Sequence, residues 1–509
     1  MASVQTIPSD IHTVVIGGGT GGATCAGLLA AHGSESVLLL EAGPDYGAFQ
    51  AGRWPKDLLD ARAIPLSHDW GLNSGAVYPD RIIDFPRARV MGGCSAHNGC
   101  TASVGARADY DQWVEDGNDG WGAIAMAPLL DLMRKRFRVQ TLTVGELTMA
   151  QAAFMRAGQA AGLPFADDLD QLEAGIGIGP MTANIVDGTR WNSAFAFVDP
   201  VRQKPNFTVM GDVLVDRVVV EQGVVRGLHI HRQGESHYIQ CQRVILAGGA
   251  YGSPAVLLRS GIGPEAELMK HQIAVAVALR GVGENLLDHP CIQLDFEGSP
   301  AFLESVRTNS RHVDEQTVGR AKSDRCDSGP YDIHAFLVAG ANSGHPGLPP
   351  ISIYGGAMRA KSQGRVTLKD ASPHSVVAVD PRYGTDPEGH DLAVLRQAKA
   401  LLTEISEEAE FAKVLGKPVP RDFSDFAGSI VNYCHPAGTC KMGPPTDPDA
   451  VVGADGQVHG VSGLYVADAS VMPSITRGNI NLPTAAIAAR IVAKMLTITP
   501  SDLATRSAI

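Results

Sequence analysis

One stretch near the start of the chain, Thr13 to Gly43, constrains the fold more than any other and reads TVVIGGGTGGATCAGLLAAHGSESVLLLEAG. Its first apolar run, Val14 to Ile16, is β-branched and typical of a strand covered on both faces. A glycine-rich turn and a helical stretch follow, and a second apolar run covers Val37 to Leu40. This order of strand, turn, helix and strand predicts an α/β fold with parallel strands.

The glycines of this stretch form a G-x-G-x-x-G pattern at Gly17, Gly19 and Gly22. The missing side chains allow a tight turn, close approach of a pyrophosphate and close packing of helix on strand. Glu41 follows nineteen residues after Gly22, where a carboxylate can accept hydrogen bonds from a ribose diol. We therefore predict a dinucleotide site, equally suited to NAD or FAD, rather than a glycine-rich turn without a ligand.

Length and composition restrict the class of protein. At 509 residues the chain is too long for one ordinary core, so we expect two domains or one large domain with insertions. The formal charge of −12 argues against nucleic acid or an anionic membrane as a partner, because both would repel the chain. The eight cysteines contain no C-x-x-C pair, so we expect reduced thiols, a cytoplasmic protein and no metal site.

Two later regions differ from the opening stretch. From Pro86 to Trp113, glycines and small residues surround His97 and Asn98, so the backbone there can approach something flat and large. Alternating apolar residues between Phe207 and Leu246 predict antiparallel strands joined by glycine turns. Residues 298–424 are richer in His, Ser, Arg and Pro, as expected of a substrate-facing layer.

The last eighty residues carry the candidate chemistry. His435 lies in a loop with Pro436 and Gly438, and Asn479 lies in another loop just before a terminal helix. A base and a polar partner from two loops can converge on one substrate, although a lone histidine is more often a satisfied core residue. The N-terminus of the terminal helix, near Pro483, can stabilise negative charge on a reduced ring, or the helix can simply belong to the core.

Four stretches in sequence order resemble the glucose-methanol-choline (GMC) family of FAD-dependent oxidoreductases. They are the opening fingerprint with Glu41-Ala42-Gly43, then Arg89 to Gly99, then Gly249 to Pro264 with Gly281 to His289, and last His435 to Thr439, Val466 to Ser470 and Asn479 to Thr484. The resemblance implies an α/β protein with a Rossmann-like FAD-binding domain, residues 1–150, 205–297 and 430–509. It also implies a discontinuous α+β substrate domain on an antiparallel sheet, residues 151–204 and 298–429.

The resemblance implies an activity as well: oxidation of an alcohol by proton removal and hydride transfer to the flavin N5. His435 matches the family's active-site histidine, and Asn479 its partner position, chosen over Asn481 by its spacing to the helix. An imidazole can accept a hydroxyl proton, and an amide can hold the developing alkoxide. The residues implied to bind FAD are Gly17, Gly19, Gly22, Glu41, Gly92, His97, Asn98, Val215, Asp468 and Asn479.

Within the resemblance, His97 carries a further implication. In choline-oxidase-like members a histidine in the similar text GGCS-x-HN is joined covalently to the flavin, and this chain has GGCSAHN. We therefore expect a covalent histidyl-FAD through His97. The chain also departs from the family, since Arg280 stands where Pro is frequent and Tyr433 puts a bulky side chain near the expected substrate and oxygen route.

Substrate and electron acceptor stay open at this level. Aryl alcohols, furans, sugars and amino alcohols all fit, and either oxygen or another electron acceptor could take the electrons. A hydroxynitrile-lyase-like activity on the same flavin fold is the alternative without net redox chemistry. A nicotinamide dehydrogenase would explain the opening fingerprint alone, and a non-catalytic flavin-binding module would leave His435 and Asn479 without a role.

Overall fold

The computed structural model describes residues 7–8, 10–62, 64–75, 81–308, 313–340 and 349–506. Its helices, numbered in chain order, are α1 Thr20–His32, α2 Lys56–Leu59, α3 Arg107–Glu115, α4 Ala123–Arg136, α5 Met149–Ala160, α6 Gly249–Arg259, α7 Glu265–Lys270, α8 Pro300–Thr308, α9 His390–Glu407, α10 Ala409–Leu415, α11 Asn481–Met495 and α12 Pro500–Arg506.

Two large sheets contain most of the strands. In chain order these strands are β1 Asp10–Ile16, β2 Val37–Leu40, β3 Gly177–Pro180, β4 Phe207–Met210, β5 Leu214–Glu221, β6 Val224–Arg232, β7 Glu235–Leu246, β8 Cys291–Phe296, β9 Thr317–Ala321, β10 Ile333–Ala339, β11 Ile351–Ala357, β12 Pro418–Val419 and β13 Leu464–Val466. Short pairs are formed by Gln140–Thr141 with Thr182–Ala183, Ile185–Val186 with Thr189–Arg190, Ile262–Gly263 with Val277–Ala278, and Arg365–Thr367 with Ala378–Asp380.

The first sheet has the order β4-β2-β1-β7-β6-β5. Strands β4, β2, β1 and β7 pair in parallel, whereas β6 is antiparallel to both β7 and β5. Strand β7 is long enough to pair with β6 along its first part and, in parallel, with β13 along its last three residues. The apolar strands β1 and β2 are buried, as the sequence predicts. The parallel sheet expected of a dinucleotide-binding fold is therefore present.

The second sheet is antiparallel throughout, in the order β12-β8-β11-β10-β9-β3. Strand residues alternate between the two faces of a sheet. One face carries Leu337 and Ile353, which form a buried core with Phe154 of α5, Leu402 of α9 and Phe411 of α10. The opposite face carries polar and aromatic residues and faces the site described below. The sequence predicted this α+β layer on an antiparallel sheet.

The positions of the boundaries between the two domains are a proposal. Strand β8, which lies within residues 205–297 of the expected FAD-binding segments, pairs with β11 and β12 of the second sheet. We therefore propose that the second domain begins before residue 291. Strand β13 and helix α11 return to the first sheet, because β13 pairs with β7 and α11 packs on α1.

Candidate active site

His435 and Asn479 approach each other from two separate loops. The Asn479 Nδ2 atom lies 3.4 Å from the His435 Nε2 atom and is oriented to donate to it. Both side chains are partly exposed. Asn481, the alternative partner, lies elsewhere, because its Oδ1 accepts a 2.7 Å hydrogen bond from Thr20. The structure thus places the amide chosen by spacing, and not its neighbour, beside the imidazole.

A second histidine contacts the other side of the His435 ring. The Nδ1 atoms of His435 and His289 are 3.1 Å apart, and the two rings meet edge to face. One of two facing ring nitrogens must carry the proton that joins them. Because Asn479 offers an N–H to the His435 Nε2, the neutral His435 carries its proton on Nδ1 and donates it to His289. Its Nε2 is therefore unprotonated, with its lone pair facing the Asn479 amide.

Asp288 fixes the backbone that carries both histidines. Its Oδ1 accepts hydrogen bonds of 2.8 Å from the backbone N–H groups of His289 and His435, and its Oδ2 accepts one of 2.7 Å from the Tyr383 hydroxyl. The adjacent Cys434 adopts a φ of +62°, an uncommon conformation for a non-glycine residue. This single carboxylate therefore holds the turn that presents the His435 ring.

Burial keeps the histidine pair neutral. The pKa of His435 lies well below 6.5, chiefly because burial disfavours the cation, and nearby His289, Arg87 and His334 lower it further. Burial also lowers the pKa of His289 to about 3. Neutral imidazoles can accept a proton at neutral pH, so both rings are in the form that base catalysis requires.

Tyr433 lies between His435 and the second sheet. Its ring centre is 4.5 Å from that of His435, and Phe336 stacks on it at 4.8 Å with an interplanar angle of 9°. Tyr354 stacks on Phe336 in turn, at 4.9 Å and 8°. The Tyr433 hydroxyl is 2.8 Å from the His334 Nδ1 atom. Tyr433 therefore forms one wall beside His435.

The glycine turn after β1 has the close contacts that its sequence predicts. Gly17 has a φ of +99°, and a side chain there would lie 2.5 Å from the Ala247 carbonyl oxygen. A side chain at Gly22 would lie 1.8 Å from the Gly17 oxygen. Gly19 touches Gly93, where a Cβ would be 2.5 Å from the Gly19 Cα. The turn therefore crosses the Gly92-Gly93 loop with backbone against backbone.

Glu41 directly follows β2 and lies beside this turn. Its carboxylate accepts hydrogen bonds from the backbone N–H groups of Gly18, at 2.7 Å, and Gly43, at 2.8 Å. Burial raises the pKa of Glu41 to about 7, although those two hydrogen bonds favour the ionised form. Each oxygen keeps a second lone pair, so the side chain can still accept from a ribose diol.

His97 follows the short 3₁₀ turn Gly93–Ala96 and is buried. Its Nε2 lies 3.0 Å from the Ser67 carbonyl oxygen, which can only accept a hydrogen bond, so the proton of the neutral ring is on Nε2. Burial lowers the pKa of His97 to about 4. The ring is therefore neutral near pH 7, and its Nδ1 carries the free lone pair.

The remaining predicted cofactor residues occupy structural positions around the same sheet. Gly92 has a φ of +94°, and its N–H donates to the Gly18 oxygen at 2.8 Å. Asn98 Oδ1 accepts from the Cys100 N–H, and the Val215 oxygen accepts from Arg259.

Asp468 has both carboxylate oxygens occupied by hydrogen bonds. Its Oδ2 accepts from the Gly249 N–H at 2.8 Å and from the Ser253 hydroxyl at 2.6 Å, and its Oδ1 accepts from the Ser470 N–H. The carboxylate thus joins the start of α6 to the turn after β13. None of these contacts excludes a cofactor role through the backbone.

Sequence reasoning did not assign three residues that contact the site. Asp288 and His289 lie in the stretch Gly281 to His289 that carries the family resemblance, so this neighbourhood was the available signal. His334 comes from β10, and nothing in its local sequence points to Tyr433. Arg280, the departure noted in the same stretch, is a surface residue paired with Asp449 at 2.7 Å and lies outside the site.

A dinucleotide-type parallel sheet joined to an antiparallel sheet, with a paired histidine where the two meet, is the arrangement of a flavin-dependent oxidoreductase. The family model for GMC oxidoreductases matches this chain over residues 11–291 with its N-terminal part and residues 360–488 with its C-terminal part. The chain belongs to the GMC oxidoreductase family. It is an FAD-dependent enzyme that oxidises alcohols.

Curated relatives match almost the whole chain. The oxygen-dependent choline dehydrogenase of Brucella anthropi is 31% identical over 92% of this chain and 93% of its own length. The mitochondrial choline dehydrogenase of Homo sapiens is 30% identical over 96% of this chain and 90% of its own length. These relatives give no support to the hydroxynitrile-lyase alternative.

Solved structures share the fold. Pyridoxine 4-oxidase from Mesorbium loti superposes with a TM-score of 0.81 at 25% identity, over 95% of this chain and 99% of its own. A variant of formate oxidase from Aspergillus oryzae superposes with a TM-score of 0.82 at 22% identity, over 98% and 100%.

The site fits FAD, because the tight turn that a pyrophosphate can approach is open only to glycine at Gly17 and Gly22, where a Cβ would collide with backbone oxygens. Within the described residues, no group of three or more His, Cys, Asp or Glu could hold a metal ion. No single helix in those ranges is long and apolar enough to cross a membrane. Helices α11 and α12 reach that length and composition only together, as a pair bent by 103°.

Proposed function

We propose that His435 is the base that removes the hydroxyl proton of a small alcohol and that Asn479 holds the same oxygen. The observation that carries this assignment is the lone pair of His435 Nε2, which the His289 contact leaves unprotonated and which Asn479 adjoins. The Asn479 Oδ1 is buried and has no partner among the described residues, so one polar atom of the pair still needs a ligand. FAD, when bound, supplies the acceptor for the hydride.

The neighbours of His435 support this role. When Nε2 takes the substrate proton, the resulting cation still donates from Nδ1 to His289, so its buried N–H is not left unpaired. The Asp288 carboxylate accepts from the backbone N–H groups of both histidines and so orients the two residues. The chain thus orients the base and keeps its Nδ1 proton hydrogen-bonded.

We also propose that His97 is the residue that links FAD covalently. The neutral ring, with Nε2 bound to Ser67, supports this assignment because its Nδ1 is nucleophilic near pH 7. We further propose a cytoplasmic location, which the free thiols of all eight cysteines support.

The substrate and the electron acceptor are tested together. Purified enzyme is mixed anaerobically with a panel of choline, aryl alcohols, furan alcohols and sugars, and flavin absorbance is followed. Bleaching by an alcohol supports the proposal, whereas a flavin that stays oxidised with every alcohol contradicts it and would fit a lyase. The active alcohol is then assayed for peroxide and for reduction of an artificial dye. Peroxide indicates an oxidase, and dye reduction alone a dehydrogenase.

A further inference from the structure

A buried ion pair lies directly beside the loop that carries Asn479. Arg477, two residues before Asn479, is 1% exposed, and Asp109 of α3 is fully buried. The Arg477 guanidinium forms an ion pair with Asp109 Oδ1, and the Arg477 backbone N–H donates to Asp109 Oδ2 at 2.8 Å. One carboxylate therefore holds both the side chain and the main chain of Arg477.

The other donors of Arg477 tie this loop to the segment before β10. Its Nε donates to the Tyr331 oxygen at 2.7 Å, and its Nη2 donates to the Ser328 oxygen at 2.6 Å. The fork geometry of a guanidinium suits several fixed acceptors at once, which an ammonium cannot match. Arg477 thus joins three segments that are distant in sequence: α3, residues 328–331 and its own loop.

A second guanidinium meets the same carboxylate. Arg359 Nη1 lies 3.7 Å from Asp109 Oδ1 and donates to the Ile475 oxygen at 3.0 Å, again within the Asn479 loop. One buried and one partly exposed guanidinium therefore face the same buried carboxylate. A buried ion pair is weak evidence for stability, because desolvation offsets much of the attraction. The position of this pair beside the Asn479 loop therefore calls for a reason other than stability.

Gly478 itself makes only a weak contact. Gly478, between Arg477 and Asn479, has a φ of +78°, and its N–H makes a weak contact of 3.3 Å with the Met358 sulfur. A Cβ at Gly478 would lie 2.7 Å from the Ser103 hydroxyl oxygen, so the backbone passes close to that side chain. On its N-terminal side, the position of Asn479 therefore depends on the strong contacts that Arg477 makes two residues earlier.

We propose that Arg477 is a positioning residue: held by Asp109 and assisted by Arg359, it fixes the Asn479 amide against His435. This inference rests on the proposed function, in which Asn479 and His435 bind one substrate oxygen. The 3.4 Å distance between Asn479 and His435 leaves little tolerance, since about 1 Å of misplacement can cost up to about a hundredfold in rate.

The test is a double-mutant cycle on flavin reduction. Arg477→Met, Asn479→Ala and the double variant are compared with the parent, using an alcohol that reduces the parent flavin. Arg477→Met is expected to lower the limiting reduction rate at least tenfold while changing the apparent substrate affinity less than threefold. In the Asn479→Ala background the same substitution is expected to have no further effect, because neighbouring residues that act through one another are not additive. An equal loss in both backgrounds would overturn the proposal.

Two further variants separate positioning from general destabilisation. Arg202→Met is a matched control that breaks a paired arginine elsewhere, one bound to Asp45 and Asp199. It is expected to keep the parent reduction rate per bound flavin. If Arg477→Met does not fold, Arg359→Met breaks the Ile475 contact from a more exposed position and is expected to lower the reduction rate in the same manner. A parent-like rate in Arg359→Met would contradict the proposal, whereas a parent that no alcohol reduces would instead contradict the proposed function.

Discussion

The Nδ1 atoms of His435 and His289 lie 3.1 Å apart, so each ring determines the protonation of the other. With the His435 proton held on Nδ1, the Nε2 lone pair faces Asn479, where we propose that the substrate hydroxyl binds. A histidine presented in this tautomer is ready to act as a base without first moving a proton.

Removal of the His289 acceptor should slow the reaction without removing the base. His289→Gln offers an amide oxygen that can replace the ring nitrogen, whereas His289→Leu leaves the His435 N–H buried and unpaired. We expect His289→Leu to slow anaerobic flavin reduction by about tenfold to a hundredfold and His289→Gln to retain most of the rate, because an unpaired buried donor costs about 1–3 kcal/mol. Stopped-flow measurements of flavin reduction on both variants test this. If His289→Leu and His289→Gln are reduced at equal rates, the hydrogen bond from His435 to His289 is not used in the reaction.

Loss of the base itself should have a larger effect. His435→Ala is expected to slow flavin reduction by roughly a hundredfold or more, the usual scale when a general base is lost. Flavin absorbance per protein checks that the variant still binds its cofactor. The exposed His374 provides a control, and His374→Ala should behave as the parent does. If His435→Ala is reduced at the parent rate, the assigned base is wrong.

Asp288 should contribute through the hydrogen bonds that its side chain accepts. Asp288→Asn keeps one oxygen that can accept from the His289 and His435 backbone, whereas Asp288→Ala leaves both N–H groups without their acceptor. We expect Asp288→Ala to lower stability by about 1–3 kcal/mol for each buried N–H left unpaired. Asp288→Asn should lose less stability and keep more of the reduction rate, because its remaining oxygen can still accept from the two backbone N–H groups. Urea unfolding and stopped-flow reduction measure the two effects separately.

Sequence reasoning predicted the fold and part of this site for different physical reasons. The glycine turn, β1 and β2 follow from local patterns, and Glu41 is found by counting from Gly22. His435 and Asn479 were located through short motifs. Contacts between distant segments leave no such trace, so the His334 bond to Tyr433, ninety-nine residues away, could not be read from the chain.

The contacts of Tyr433 also join distant segments, so the sequence alone could not predict them. Its bulk beside His435 suggested an obstacle to substrate or oxygen. Only the register of β10 shows that Phe336 and His334 stand on one face of the second sheet, where they pack on the ring and bind the hydroxyl.

A covalent bond to the flavin should be visible after denaturation. Acid-precipitated parent protein should keep its yellow colour if His97 is linked to FAD, and His97→Gln should release all flavin into the supernatant. Gln can still donate to the Ser67 carbonyl oxygen, so the loop contact is preserved while the nucleophilic nitrogen is lost. Complete release of flavin from the parent would rule out the linkage.

The buried neutral His289 should make the protein sensitive to acid in a way that one substitution can isolate. Its pKa is lowered to about 3 in the folded protein, whereas an unfolded histidine titrates near 6.5. Between these values the unfolded chain binds a proton that the folded chain does not, so stability falls as the pH drops below 6.5. The expected loss is about 1.4 kcal/mol per pH unit, or roughly 3 kcal/mol at pH 4.5.

Buried acids with raised pKa values, such as Glu41, act in the opposite direction, so the pH dependence of the parent's stability does not isolate one group. The difference between the parent and His289→Gln does: their free energies of unfolding in urea should converge by this amount between pH 7 and pH 4.5. A constant difference across that range would show that His289 is protonated in the folded protein.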